Sequence, residues 1–330
     1  MSVFDSLADK IRRNEPVPAP LSLALNLATP VTRLGMAWRL RGPRTRVNAR
    51  VISFGNITAG GTGKTPAVIE RAQEELQAGH RVAVLTRGYG SGKVAEPFAV
   101  TPDTPRLNLA DMIGDEPALI VRRAPDVIVV KAANRVAGAQ KAIELGCDVL
   151  LMDDGFQHVA LERDENVLLI DAANPFGNGR LIPRGILREP LTAMTRATQV
   201  ILTRCDQAEE IESLEQHIHT IHPGVSIRKT RHAPCGVWRV AGGQTMPLDM
   251  LQGKEVSAVC GIGHPEAFFR TLESLGARII SRKAFSDHAV IPASAIPSEG
   301  MIITTEKDAM RLSHAGENLW ALAVALEDLQ

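Results

Sequence analysis

The chain has 330 residues, of which 45% are hydrophobic, so it is long enough for one large domain or two ordinary ones with a substantial core. Lys and Arg together number 37, as do Asp and Glu, which excludes a globally basic nucleic-acid-binding protein. The four cysteines are widely spaced and form no CxxC pair, which argues against a disulfide scaffold or a structural zinc site. We therefore expect a folded protein from a reducing compartment, with no nucleic-acid partner and no obligate protein partner.

The N-terminal part combines an apolar stretch with a basic one. Residues 21–38 are apolar but contain Asn26, Pro30 and Arg33, so the stretch falls short of an uninterrupted spanning helix. No cleavable signal peptide is evident. Six arginines occur in and after this stretch without a single acid, as a segment lying on anionic lipids requires: Arg33, Arg39, Arg41, Arg44, Arg46 and Arg50. We predict a membrane-associated helical segment over residues 1–46; the alternative is an amphipathic helix packed on its own domain.

Further along the chain, strands and helices alternate as in an α/β protein. Strands are predicted at Val47–Phe54, Arg81–Thr86, Asp126–Val130, Asp148–Met152, Asn166–Ile170 and Gln199–Thr203, with helices at Thr65–Ala78 and Asn134–Leu145. This alternation predicts a doubly wound, mainly parallel sheet over residues 47–225, with ligands beyond the carboxyl ends of the strands.

The C-terminal third carries a second set of strand signals. Short strands are predicted at Ser226–Arg231, Gly236–Val240, Val256–Cys260, Arg278–Ile280, Met301–Thr304 and Leu319–Val324. We interpret residues 226–330 as a second, smaller α/β domain, with the boundary near residue 225.

A glycine-rich loop follows the first predicted strand and opens a helix: Thr58-Ala59-Gly60-Gly61-Thr62-Gly63-Lys64-Thr65. In a P-loop, backbone N–H groups surround phosphate oxygens, the lysine reaches the β/γ oxygens and the threonine hydroxyl ligates Mg²⁺. Thr58 replaces the first consensus glycine, but the strand–loop–helix context is that of a P-loop NTPase. The sequence therefore predicts a nucleotide site that includes Lys64 and Thr65.

Two adjacent acids, Asp153 and Asp154, end the strand at residues 148–152. Adjacent carboxylates repel each other unless a cation lies between them or one is protonated. An Asp-Asp-Gly turn at a strand end is the alternative, but a P-loop in the same sheet favours a metal-organising role. We predict Thr65, Asp153 and Asp154 as the Mg²⁺ site.

Six short motifs in this order resemble the tetraacyldisaccharide 4′-kinase family of lipid A biosynthesis, and the resemblance spans almost the whole chain. The motifs are Gly60–Pro66, Thr86–Gly90, Gly114–Pro117, Asp153–His158, Leu187–Pro190 and Thr305–Asp308. The resemblance implies a P-loop kinase that transfers the γ-phosphate of ATP to the 4′-hydroxyl of a tetraacylated glucosamine disaccharide 1-phosphate. The product would be lipid IVA. It further implies an enzyme at the cytoplasmic face of a bacterial inner membrane, bound peripherally or by a single N-terminal anchor.

The resemblance also implies roles for individual residues. Asp115 matches the carboxylate that takes the proton of the attacking hydroxyl, and His288 matches a histidine paired with that aspartate. Ala289 stands where the family often has a second histidine. Arginines bind phosphates bidentately, and Arg87, Arg184 and Arg188 are candidates for holding the anomeric phosphate.

Two other functions remain open at this point. A P-loop GTPase reads guanine with an Asn-Lys-x-Asp motif, but the nearest segment, Thr203-Arg204-Cys205-Asp206, lacks both the asparagine and the lysine. A membrane-tethered ATPase switch would hydrolyse ATP without a small acceptor. ATP consumption that depends on added glycolipid distinguishes the kinase from this switch.

Overall fold

The computed structural model describes residues 41–263, 265–286, 289, 291–312 and 316–329, together with residues 11, 18, 22, 25, 29, 30, 34–36, 38 and 40. Thirteen strands occur in this part of the chain: β1 (Arg50–Gly55), β2 (Val82–Thr86), β3 (Phe98–Val100), β4 (Ile128–Lys131), β5 (Val149–Met152), β6 (Glu165–Asp171), β7 (Gln199–Thr203), β8 (Ser226–Arg239), β9 (Thr245–Met246), β10 (Glu255–Cys260), β11 (Arg278–Ala284), β12 (Met301–Thr305) and β13 (Leu319–Asp328). The α-helices after residue 49 are α1 (Lys64–Gln77), α2 (Leu109–Ile113), α3 (Asp115–Arg123), α4 (Arg135–Glu144), α5 (Ile211–Ile221), α6 (Pro265–Ser274) and α7 (Glu306–Ala309).

Twelve of these strands form one continuous sheet in the order β11-β10-β12-β13-β8-β7-β6-β1-β5-β2-β4-β3, and β9 pairs with β8. Neighbours run parallel except at β3–β4, β8–β9 and β8–β13. This arrangement confirms the predicted mainly parallel α/β fold. Because β5 and β6 flank β1 in parallel, the loops that follow these three strands emerge at the same edge of the sheet.

Helices cover both faces of the sheet around β1. Ile52 packs in the same buried cluster as Val68 of α1 and Ile120 of α3. Val51, which points to the opposite face, packs with Ala139 of α4. Successive side chains of one strand alternate between faces, so β1 must be apolar throughout to be buried on both sides.

Strand β8 differs from the prediction, which gave two short strands at residues 226–231 and 236–240. It is a single strand of 14 residues that pairs with β7 in its first part and with β13 over most of its length. Pro234 lies inside it, and the register with β13 shifts at this point, between Ala323 and Val324. Such an irregularity accommodates a residue that has no N–H to donate.

The predicted boundary near residue 225 falls at the start of β8, and the division into residues 1–46, 47–225 and 226–330 stays a prediction. Most of the predicted N-terminal membrane segment lies outside the described residues, so it also stays a prediction. Among the residues described in this segment, the Leu34 and Trp38 side chains are exposed. No described helix has the length and apolar character needed to cross a membrane.

Candidate active site

The predicted P-loop residues, Thr58 to Thr65, follow the carboxyl end of β1 and run into the first turn of α1. Gly60 has φ +124° and Gly63, which precedes the helix, has φ +78°; both values favour glycine. A Cβ at Gly63 would lie 2.5 Å from Nε2 of His232 on β8, so this turn also requires the absence of a side chain. The loop thus presents the N-terminus of α1, whose first N–H groups have no partner within the helix.

A neighbouring segment holds the P-loop in place. Ala59 N–H donates to the Ile186 carbonyl at 2.7 Å, and Arg188 N–H donates to the Ile57 carbonyl at 2.7 Å. On the other side, the Thr203 hydroxyl donates to the Thr62 carbonyl at 3.1 Å. These contacts bring the Leu187–Pro190 motif beside the loop.

Asp154 lies between two cations. Lys64 Nζ is 3.6 Å from Asp154 Oδ1 and 3.4 Å from Asn56 Oδ1, and Arg188 Nη1 contacts both Asp154 oxygens at 3.0 and 2.9 Å. Burial favours the neutral acid, but the charges of Lys64 and Arg188 outweigh it and hold the Asp154 pKa below its ordinary value. Asp154 is therefore an anion in the site at neutral pH.

Asp153 is in the opposite electrostatic situation. Its side chain is buried, and its Oδ1 has no hydrogen-bond partner among the described residues. Burial, and then the negative charges of Glu116 and Asp154, raise the Asp153 pKa to about 7. A carboxylate in this position needs a cation, which fits the predicted metal role.

Asp115 is the first residue of α3, and it is buried. Arg311 Nη2 lies 3.1 Å from Asp115 Oδ2. The next residue of α3, Glu116, is one of the negative charges that raise the Asp153 pKa. The start of α3 is therefore near enough to the paired carboxylates for their charges to interact. His288 lies outside the described residues, so its pairing with Asp115 stays a prediction.

The profile of the family described as Tetraacyldisaccharide-1-P 4′-kinase matches residues 16–328. The chain belongs to this family. The match covers the P-loop, the paired carboxylates and the start of α3, and it confirms the resemblance drawn from the six motifs.

Individual members of the kinase family are similar over most of the chain. The tetraacyldisaccharide 4′-kinase of Anaeromyxobacter dehalogenans strain 2CP-C is 41% identical over 305 residues, which are 87% of this chain and 80% of that protein. The tetraacyldisaccharide 4′-kinase of Syntrophus aciditrophicus is 40% identical over 287 residues, covering 81% and 76% of the two chains. The crystal structure of the "apo" form of LpxK from Aquifex aeolicus in complex with ATP has a TM-score of 0.76 and 28% identity, and covers 94% and 96%.

The structure of this kinase-family chain adds charged residues that the sequence analysis did not predict for the site. Arg135, at the start of α4, is buried; burial lowers its pKa, whereas the charges of Asp153 and Asp154 act in the opposite sense. Glu116 approaches from α3, and Lys307 Nζ lies 3.4 Å from Glu116 Oε1. Glu116 belongs to the Gly114–Pro117 motif and Lys307 to the Thr305–Asp308 motif. Membership in these motifs was the only feature of the sequence that pointed to the two residues.

A second group of side chains connects the loops around the P-loop to one another. The Gln157 side-chain amide donates to the Asn56 carbonyl at 2.9 Å and to Glu189 Oε1 at 2.8 Å. Glu189 is buried and pairs with Arg196 at 2.8 Å. Gln157 and Glu189 therefore tie the Asp153–His158 and Leu187–Pro190 motifs to Asn56, which lies two residues before the P-loop.

The three candidate arginines for the anomeric phosphate occupy different environments. Arg188 is engaged by Asp154 beside Lys64. Arg184 Nε donates to the Ser22 hydroxyl at 2.9 Å, and the Arg87 guanidinium lies 5.5 Å from the centre of the exposed Tyr89 ring. Of the three, Arg188 is the one that lies with Lys64 at the Asp154 carboxylate, whereas Arg184 and Arg87 have other partners.

Proposed function

We propose that this protein is an ATP-dependent kinase that phosphorylates the 4′-hydroxyl of a tetraacyldisaccharide 1-phosphate and thereby forms lipid IVA and ADP. One observation carries the proposal. The region that matches the family profile contains a P-loop, two strand-end carboxylates and Asp115, and these groups lie at a single edge of the sheet. Phosphoryl transfer depends on positioning and charge neutralisation, and these groups supply both.

The residues at the P-loop fit ATP and Mg²⁺. The N-terminus of α1 suits the phosphate chain, and Lys64 brings a positive charge beside it. Thr62 Oγ1 and Asp153 Oδ1 are buried without a hydrogen-bond partner among the described residues, as expected for atoms whose partners are a bound nucleotide and cation. Thr65, Asp153 and Asp154 would hold Mg²⁺, which neutralises charge on the phosphates when it is bound.

In the proposed mechanism, some side chains of the protein act on the transferred phosphoryl group and others act on the acceptor hydroxyl. Lys64 and Arg188 neutralise negative charge that spreads over the transferred phosphoryl group, in a site that excludes much of the solvent. Asp115 accepts the proton of the acceptor hydroxyl, which a carboxylate within hydrogen-bond reach can do. The proposed partnership of Asp115 with His288 rests on the family resemblance.

The acceptor also bears on where the enzyme works. A substrate with four acyl chains stays in its leaflet, so the enzyme that phosphorylates its sugar must reach the membrane surface. We propose a location on the cytoplasmic face of the inner membrane, held peripherally or by one N-terminal anchor. Exposed Leu34 and Trp38, followed by the basic stretch, support this location. Arg46 and Arg50 are paired with Asp164 and Glu75, so the more N-terminal arginines have the larger part in lipid binding.

A transfer assay with purified protein tests the proposal. ATP labelled in the γ-phosphate is incubated with Mg²⁺, detergent micelles and tetraacyldisaccharide 1-phosphate, and the label in the lipid extract is compared with total ATP consumed. The kinase proposal predicts that ATP consumption requires the glycolipid and that each ATP consumed labels one lipid. ATP consumption that is the same without glycolipid would instead identify an ATPase switch.

A further inference from the structure

The Thr305–Asp308 motif carries no role in the mechanism above, yet the structure gives each of its residues a specific contact. Thr305 caps α7, its hydroxyl accepting from the Asp308 N–H at 3.2 Å. Asp308 Oδ2 accepts from the Gly261 N–H at 2.9 Å, which ties α7 to the loop after β10. Glu306 is buried and accepts from Trp238 Nε1 at 3.1 Å and from the Val324 N–H at 3.3 Å. The short helix is therefore fixed to the sheet of the C-terminal third.

Three side chains of residues 306–311, which comprise α7 and the two residues after it, reach across to α3. Glu306 pairs with Arg123, at the last turn of α3, at 2.9 Å. The other two contacts are at the first turn, where Lys307 pairs with Glu116 at 3.4 Å and Arg311 pairs with Asp115 at 3.1 Å. A single segment thus holds both ends of the helix that presents the proposed base.

The Arg311 contact is sheltered, unlike most ion pairs on protein surfaces. The exposed fractions of the Arg311 and Asp115 side chains are 24% and 4%. Arg311 Nη2 also lies 3.3 Å from the position that a Cβ at Gly90 would take, so the guanidinium packs against the Thr86–Gly90 motif. A planar guanidinium held on several sides fixes the direction of a carboxylate more tightly than a mobile surface lysine does.

We propose that Arg311 and Lys307 are positioning residues, which set the orientation of Asp115 and Glu116 at the start of α3 from the C-terminal third of the chain. This inference rests on the proposed kinase function, in which Asp115 receives the acceptor proton. Small displacements of a catalytic group reduce turnover even when nucleotide binding is intact. The C-terminal third then contributes to catalysis by holding the carboxylate, while the P-loop side of the sheet holds the nucleotide.

The test compares three substitutions in the full-length protein. Arg311→Gln removes the charge, Arg311→Lys keeps it, and Arg278→Gln is the control because Arg278 forms an exposed pair with Glu255 on the same part of the sheet. For each variant we would measure kcat, KM for ATP, KM for tetraacyldisaccharide 1-phosphate and the midpoint of thermal unfolding.

We expect Arg311→Gln to lower kcat on the order of 10- to 100-fold with KM for ATP changed by no more than about twofold. Arg311→Lys should recover part of the lost kcat, and Arg278→Gln should match the wild type. A wild-type kcat in Arg311→Gln would overturn the inference. So would a loss of kcat that comes with a raised KM for ATP, a lowered unfolding midpoint and no recovery in Arg311→Lys, because that pattern describes a purely structural residue.

Lys307→Gln is the second variant, used if Arg311→Gln does not fold. It removes the Glu116 contact and leaves the Arg311–Asp115 pair in place, and we expect a smaller loss of kcat with an unchanged KM for ATP; an unchanged kcat would overturn the inference. Failure of the kinase proposal is separate, because it appears in the wild type as an absence of phosphate transfer to the glycolipid. Failure of the positioning inference appears only in the ratio of the kcat of the variants to the kcat of an active wild type.

Discussion

Asp153 and Asp154 are adjacent in the chain but differ in the charge that surrounds them. Lys64 and Arg188 stabilise the Asp154 anion, whereas burial and neighbouring acids raise the Asp153 pKa to about 7. Asp154 is thus an anion at neutral pH, whereas Asp153 loses its proton most readily when a cation is bound beside it. Such divergent pKa values mark functional sites more often than structural ones.

Because the Asp153 pKa is raised, we expect Asp153→Asn to change the thermal stability of the protein by an amount that depends on pH. This prediction applies to the protein without bound nucleotide or Mg²⁺. The unfolded carboxyl has a pKa of about 4, so the folded state binds the proton more tightly. The stability due to this protonation is complete below about pH 4 and is lost as the pH rises through about 7. We therefore expect the variant to unfold at a higher temperature than the wild type, by a margin that grows between these pH values and is then constant.

Thermal unfolding monitored by circular dichroism measures this margin across the pH range. Asp148→Asn is a suitable control, because a hydrogen bond from His80 holds the Asp148 pKa below its ordinary value and its side chain is exposed. A margin for Asp153→Asn that does not change with pH would show that Asp153 ionises normally.

Separate roles for Asp115 and the strand-end pair predict different kinetic defects. Asp115→Ala should lower kcat, on the order of 100-fold or more, with little change in the Mg²⁺ concentration that gives half-maximal rate. Asp154→Asn should instead raise that Mg²⁺ concentration, because the ion loses an oxygen ligand or the partner of its water. Titrations of Mg²⁺ at saturating ATP distinguish the two defects. If the half-maximal Mg²⁺ concentration shifted equally in both variants, the two aspartates would not have separate roles.

The turn from β1 into α1 depends on Gly63. Gly63 and Gly79 both have positive φ, +78° and +89°, so alanine at either costs about 1–2 kcal/mol of backbone strain. A Cβ at Gly79 meets nothing within 4 Å, whereas one at Gly63 meets His232 at 2.5 Å. We expect Gly63→Ala to lose more stability than Gly79→Ala and to raise KM for ATP.

Denaturant unfolding and ATP kinetics of the two glycine variants provide the comparison. Gly79→Ala is the matched control, since it shares the backbone strain without the contact and lies at the far end of α1. Equal losses of stability, with a wild-type KM for ATP in both, would show that the loop accommodates a side chain at position 63.

Elements with a strong local pattern were predictable from the sequence. Buried strands such as β5 and β7 are short apolar runs with clear ends, and α1 follows a glycine-rich loop. Helix α3 was not predicted, because Gly114 precedes it and Pro117 lies within its first turn, and glycine and proline close together are typical of a turn. The continuity of β8 was missed because an internal proline normally ends a strand, and only its pairing with β13 tolerates Pro234 there.

For the whole molecule, the P-loop and the paired carboxylates were predictable because each is a contiguous motif. The supports of the site were not, because they join residues that are distant in the chain: Arg311 with Asp115, Lys307 with Glu116, and Gln157 with Glu189. No local pattern encodes such pairs. The two pairs with α3 form only when the sheet brings the C-terminal third against that helix, and the Gln157–Glu189 pair forms only when the segments that follow β5 and β6 meet.

The proposed membrane association depends on the N-terminal segment, and it predicts a result for deletion of residues 1–40. The deletion removes the apolar stretch and two of the six arginines, so a larger share of the protein should remain in the supernatant after sedimentation with anionic vesicles. Residues 41–50 keep four arginines, so partial binding at low salt is expected. Complete sedimentation of the truncated protein at both low and high salt would place the membrane anchor elsewhere.

In the proposed reaction, the P-loop edge of the sheet transfers phosphate to one particular hydroxyl. The most direct measurement follows radiolabel from the γ-phosphate of ATP into tetraacyldisaccharide 1-phosphate or its 4′-deoxy analogue, using wild type, Lys64→Ala and the exposed-lysine control Lys141→Ala. We expect label only in the substrate with the 4′-hydroxyl, a loss on the order of 100-fold or more in Lys64→Ala, and wild-type transfer in Lys141→Ala. Label in the 4′-deoxy analogue, or wild-type transfer by Lys64→Ala, would contradict the account.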